Sequence, residues 1–196
     1  MNIDLYVLLY LVFYLFFAFG WPSYRTWKQT GLNPVVFGTS DSAHDYIGKM
    51  MKIVVLLLIA SSLSYTFGFA EWFSPFLYLD LEILDISGLF LIHFSLLWIT
   101  IAQHQMGKNW RIGIDQKHKT DLETGGLFQF SRNPIFLGMI LSVTGLFFIQ
   151  PNAVTFFVWL TSIILIQIQI RLEEEYLTGI HGKTYLAYKA RVRRFI

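Results

Sequence analysis

Two adjacent glutamates, Glu173 and Glu174, stand just past the last long apolar stretch of the chain, with Arg171 two positions before them. Ser131-Arg132-Asn133-Pro134 opens the apolar stretch that precedes this one, and Thr124-Gly125-Gly126-Leu127-Phe128 lies just upstream. Carboxylates accept hydrogen bonds from ribose hydroxyls or an ammonium group, and when partly desolvated they serve as bases. Pro134 suits the first position of a helix and Asn133 the cap before it, so free backbone N–H groups near Arg132 would attract a carboxylate. Gly125-Gly126 lets a ligand approach the backbone closely. Trp110, Phe128, Phe130 and Phe136 offer flat walls for an aromatic ring and an attractive face for a cation.

Taken singly, each piece has a plainer reading: a helix cap, a turn, a solvated collar of acid. What matters is whether the fold gathers them. Other chemistries are poorly served. There is no Cys, which excludes thiol nucleophiles and disulfides. His44, His93, His104, His118 and His181 show no metal-binding spacing, so no metal site is expected, and His93 reads as a packed polar residue inside an apolar run.

The elements that must position these residues are membrane helices. Of 196 residues, 55% are apolar and only 14% charged, and 19 Phe, 10 Tyr and 6 Trp exceed what so small a globular core would hide. The net charge of +2, spread beside apolar segments, argues against a nucleic-acid partner. Runs long enough for the roughly 20 helical residues of a crossing occur at Ile3 to Trp21, Ile53 to Phe73 and Ile86 to Gln103. Pro134 to Phe148 and Ala153 to Ile170, separated by Gln150-Pro151-Asn152, read as a tight helical hairpin. The expected fold is all-α and polytopic, five transmembrane helices with a C-terminal hairpin, in which 1–103 and 104–196 form one integrated domain. The first run carries Asp4 and no Lys or Arg at its start, so it reads as an uncleaved helix rather than a secretory signal.

Because the last two helices are antiparallel, the start of one and the end of the other lie side by side, which makes the two polar clusters neighbours. Charge supports the count. Arg25, Lys28, Lys49 and Lys52 fall in or beside the first loop, Lys108, Arg111, Lys117, Lys119 and Arg132 in the third, and Arg171, Lys183, Lys189, Arg191, Arg193 and Arg194 after the last apolar run. The loop around Glu71, Asp80, Glu82 and Asp85 has none. By the positive-inside rule the basic face is cytoplasmic and the N-terminus is outside, in a bacterial inner membrane or the endoplasmic reticulum.

The order of the pieces adds a further reading. Met106-Gly107-Lys108-Asn109-Trp110-Arg111, Thr124 to Phe128, Ser131-Arg132-Asn133-Pro134-Ile135-Phe136-Leu137-Gly138, and Glu173-Glu174 with Leu177, Gly182, Tyr185 and Tyr188 together resemble the isoprenylcysteine carboxyl methyltransferase and phospholipid methyltransferase superfamily. The resemblance covers about 104–196. It implies an S-adenosylmethionine-dependent integral membrane methyltransferase with a cytoplasmic cofactor pocket. It further implies that Arg132, Asn133, Pro134, Phe136, Gly138, Glu173 and Glu174 build that pocket, with Gly125, Leu127 and Phe128 lining it. Glu173, Glu174 and Arg171 are the catalytic candidates.

Three positions depart from the carboxyl methyltransferase pattern: Asn133 stands for His, Phe136 for Tyr, and Gln169 for an Arg one turn before the glutamates. They leave prenylcysteine as acceptor open; the pocket's place at the membrane surface reads the acceptor as lipophilic, a small lipophilic or prenylated molecule or a membrane lipid entering sideways from the bilayer. A carboxylate acceptor needs no base and would be neutralised by Arg171, whereas an amine acceptor would use Glu173 or Glu174 as base. The rival readings are an NADPH-dependent membrane sterol reductase, which ends in a similar segment, and a noncatalytic scaffold whose basic tail lies on anionic lipid.

Overall fold

The computed structural model describes residues 2–37, 41–115 and 118–196, and Lys117 of the third loop lies outside them. Among the described residues the chain is helical and without strands. Helix α1 (Ile3–Leu15) continues through a wide turn, Phe16–Gly20, into α2 (Trp21–Thr30). Pro22 explains the widened turn: it has no N–H for the carbonyl of Ala18 four residues back. The side-chain amide of Gln103 donates to that carbonyl instead, at 2.6 Å.

Helix α3 (Ala43–Thr66) starts ten residues before the expected Ile53, because Ser42 caps it by accepting from the Asp45 N–H at 3.2 Å. It also stops short of the expected Phe73, and Ala70–Phe73 forms a separate short turn. Helix α4 (Glu82–Met106) and helix α5 (Pro134–Ile149) bracket their expected runs within a few residues. Between α5 and helix α6 (Ala153–His181), Asn152 builds a capping box, its Oδ1 taking the N–H groups of Val154 and Thr155 at 2.9 Å each.

Helix α6 does not end at Ile170 but runs 29 residues, about 44 Å, so Glu173 and Glu174 are on its last turns rather than on a segment beyond it. Gly182, with φ of +53°, then breaks the chain into helix α7 (Lys183–Arg191).

Among the described residues, four helical units are long and apolar enough to cross a membrane: Ile3–Thr30, Ala43–Thr66, Glu82–Asn109 and Ala153–His181. The apolar α5 is shorter, at 16 residues. It lies against α4 at backbone contact distance. A Cβ on Gly145 would stand 2.8 Å from the carbonyl of Gly88 and 2.7 Å from Ile92, and Ser95 and Ser142 share a hydrogen bond of 2.7 Å across the seam. On the other side of α4, the Tyr10 hydroxyl donates to the Ile92 carbonyl, and His93 pairs with the Tyr6 hydroxyl. Helices α3 and α6 pack through Ile47, Val54, Val158 and Leu165.

The loops fall on two faces. Ile112 donates to the Pro34 carbonyl at 2.8 Å and Val36 to that of Ile112 at 3.0 Å, which ties the first loop to the third. At the opposite end, Phe76 donates to the Pro151 carbonyl at 2.8 Å and Gln150 reaches Asp4 at 3.2 Å. The first and third loops, with their Lys and Arg, thus share one face, while the acidic loop and the N-terminal end of α1 share the other.

Candidate active site

The start of α5 and the end of α6 meet on the basic face around one carboxylate. Glu174 is 4% exposed, and its Oε1 accepts from Arg132 through Nε at 3.1 Å and Nη2 at 2.8 Å. Arg194, in the segment after α7, donates from Nε to Oε1 at 3.2 Å and from Nη2 to Oε2 at 2.8 Å, and Lys189 Nζ lies 3.5 Å from Oε2. The Asn133 amide reaches Oε1 at 3.5 Å and the Arg194 carbonyl at 3.2 Å. The hydrogen bonds from Arg194 to Glu174 raise the pKa of its guanidinium further above its ordinary value, so it stays charged throughout the working range.

Asn133 occupies the cap position of α5 and Pro134 the first helical one, as expected, but the Asn133 side chain makes no cap. Its amide is drawn instead to the stronger acceptors, a buried carboxylate and a carbonyl. The backbone of the segment after α7 completes the frame: the Arg132 N–H donates to the Arg193 carbonyl at 3.0 Å, the Ser131 hydroxyl to that of Arg194 at 3.3 Å, and Arg132 Nη1 to those of Lys189, at 3.1 Å, and Val192.

The glycine turn sits beside this frame. Gly126 has φ of +55°, a conformation that disfavours a side chain, and a Cβ there would strike Gln105. Gln105 Oε1 accepts from the Leu127 N–H at 2.9 Å, so the end of α4 bolts the turn in place. The Tyr188 hydroxyl donates to the Phe128 carbonyl at 2.6 Å. Burial pushes Tyr185 and Tyr188 up to about 12, which keeps both as proton donors. Phe128 and Trp110 are buried, Phe136 is half-buried and Phe130 is exposed.

Glu173 has different company from its neighbour. Its Oε1 accepts from Gln169 Nε2 at 2.9 Å, and among the described residues no cation stands within ion-pair distance of it. Gln169 is 3% exposed, yet its Oε1 has no hydrogen-bond partner among the described residues. Arg171 lies on the exposed flank of α6, with Nη1 folded back onto Gln167 at 2.6 Å to the carbonyl and 2.8 Å to Oε1. Gly138 is turned toward Ile99 and Ser95 of α4, and the Pro134 carbonyl takes the Trp98 indole N–H at 3.0 Å.

The fold therefore gathers Arg132, Asn133 and Glu174 in one bonded cluster, with Glu173 next along the helix and the glycine turn tied in through Tyr188. Lys189 and Arg194 were not foreseen as site residues, since in the sequence they are two of a run of basic positions. Only their bonds to Glu174 distinguish them.

No curated protein matches the chain at a significant level. The profile of the phospholipid methyltransferase family matches residues 83–184. That span takes in α4, the glycine turn, α5, the Arg132 segment and the glutamate pair, a little over half of the 196 residues. Its helices and this match lead to one conclusion: the chain is an integral membrane protein of the phospholipid methyltransferase family.

Proposed function

We propose that this protein transfers the methyl group of S-adenosylmethionine to the headgroup amine of a membrane lipid, on the face that carries Arg132 and Glu173. The observation that carries the reading is the Gln169–Glu173 pair. A carboxylate that, among the described residues, pairs with a neutral amide and no cation, beside a buried carbonyl oxygen that has no donor among them, suits an acceptor that brings N–H groups and positive charge. A carboxylate acceptor would meet repulsion there, with Arg171 bonded to Gln167 on the outer flank.

The cofactor, when bound, supplies an electrophilic methyl group on a sulfonium. The residues of the chain do the rest. Glu173 takes the proton that the acceptor nitrogen must lose before its lone pair can form the new C–N bond. Gln169 Oε1 accepts a second N–H and so aligns that nitrogen for in-line attack. Glu174 is a positioning residue that sets Arg132 and Asn133 at the mouth of α5. Gly125, Leu127 and Phe128 line the cofactor's side, next to Pro134, Phe136 and Gly138 on the first turns of α5. The half-buried cluster limits water around the sulfonium. In this reading α5 makes a fifth crossing and the basic face is cytoplasmic, where S-adenosylmethionine is made.

The test is calorimetry on purified protein with S-adenosylmethionine and, separately, NADPH, followed by methyl incorporation into amine-headgroup and prenylcysteine acceptors. The expected result is saturable binding of S-adenosylmethionine alone and incorporation into the amine lipid, reduced about 100-fold or more in Glu173→Gln, which binds the cofactor. Binding of NADPH instead, or incorporation into prenylcysteine alone, would overturn the reading.

A further inference from the structure

Arg132 is one of the residues with which the resemblance builds the cofactor pocket, but its guanidinium is occupied by the protein itself. Nε and Nη2 are on Glu174, and Nη1 is on the carbonyls of Lys189 and Val192, which engages most of its donors. A carboxylate could be gripped by Arg132 only at the expense of those bonds. Arg194 is differently placed. Its Nε and Nη2 face Glu174, its Nη1 has no protein partner among the described residues, and its side chain is 32% exposed. Lys189, 41% exposed, stands at the same carboxylate.

Three cations thus share one carboxylate, and no other carboxylate among the described residues is within ion-pair distance of any of them. The cluster carries two positive charges in excess, and the two cations nearest the surface hold the unused donors. Both lie beyond residue 184, where the family match ends.

We infer that Arg194 and Lys189 form an oxyanion-binding ledge at the rim of the site, taking either the carboxylate of S-adenosylmethionine or the phosphate of the lipid acceptor, while Arg132 holds the frame beneath. The inference rests on the function proposed above and adds the residues that recognise the anionic part of a ligand. Arg194 suits the task because its planar fork can bind Glu174 along one edge and a second oxyanion at Nη1. The ledge binds more weakly as ionic strength rises, since both side chains are partly open to solvent.

The experiment uses the full chain in nanodiscs of uncharged lipid and two matched ligand pairs. Calorimetry compares S-adenosylmethionine with decarboxylated S-adenosylmethionine, which lacks only the carboxylate. Methyl incorporation compares an amine phospholipid with a long-chain amine that has no phosphate. Wild type is expected to prefer the anionic member of at least one pair by about 10-fold or more, the size of one charge-assisted contact. In Arg194→Ala and Lys189→Ala that preference shrinks, in the double variant it vanishes, and Arg194→Lys restores part of it. Because each variant is compared with itself across a pair, a loss of folded protein does not change the ratio. Loss of the first preference identifies the cofactor carboxylate as the occupant, and loss of the second the lipid phosphate. Survival of both preferences in the double variant would overturn the ledge while leaving the proposed function standing. Failure of wild type to bind either form of the cofactor would overturn both.

Discussion

Glu173 and Glu174 are neighbours in sequence, but successive residues of a helix point about 100° apart, and the two carboxylates have separate surroundings. Replacing Glu174 by Ala leaves the Arg132 guanidinium, 8% exposed, without its counter-charge and frees the segment after α7. The expected cost is about 3 kcal/mol or more of unfolding free energy, most of it from Arg132 because Arg194 and Lys189 can turn to water. Denaturant unfolding in detergent measures it, and a loss under about 1 kcal/mol would refute the positioning role. Glu173→Gln should leave stability almost unchanged and act on the rate profile. A base works only as the carboxylate, so kcat/KM of the wild type falls as pH falls through the titration of Glu173. In Glu173→Gln the limb set by Glu173 is absent, and the residual rate follows only the fraction of acceptor amine that is already deprotonated. The sequence revealed which residues to look at, since Arg132, Asn133 and the glutamates stand at the two ends of a hairpin that must meet. It did not reveal which glutamate is tied down, because that depends on how α6 is rotated against α5 and α7. Arg194 was equally hidden, as its link to Glu174 spans 20 residues and a helix break at Gly182.

Helices α4 and α5 approach through Gly88 and Gly145, each of which has its neighbour's carbonyl where a Cβ would be. Gly145→Ala must push the helices apart or bend one of them. The expected destabilisation is about 1–3 kcal/mol, read as a lowered unfolding midpoint in detergent. Activity in the folded fraction should fall as well, because α4 also carries Gln105, which fixes the glycine turn. Hydropathy found all five apolar stretches, as lipid contact demands apolar residues wherever a helix crosses. It misjudged the ends of α3 and α6, where polar residues continue the helix: the Asp45 turn capped by Ser42 in one, Glu173 to His181 in the other. Those ends are set by caps and by contacts with distant loops, to which an average over a window is blind.

At the scale of the whole molecule, bonds between loops sort the chain ends and turns onto two faces, and the orientation proposed above puts the one rich in Lys and Arg in the cytoplasm. The chain has no Cys, so single introduced thiols report on orientation without background. In intact cells an impermeant maleimide is expected to label Glu71→Cys, on the acidic loop, and to label Lys183→Cys only after permeabilisation. The reverse pattern would invert the orientation. The short α5 has a consequence of its own. Its 16 residues reach about 24 Å, some 6 Å less than the hydrocarbon thickness of a typical bilayer. With α5 as the proposed fifth crossing, such hydrophobic mismatch is relieved by local thinning, which draws the leaflet on the basic face inward around the end where Asn133 and Pro134 stand. Under the proposed function, a lipid amine there is lowered toward Glu173 while its acyl chains stay among their neighbours, so the membrane dimples to the protein and the lipid need not be lifted out.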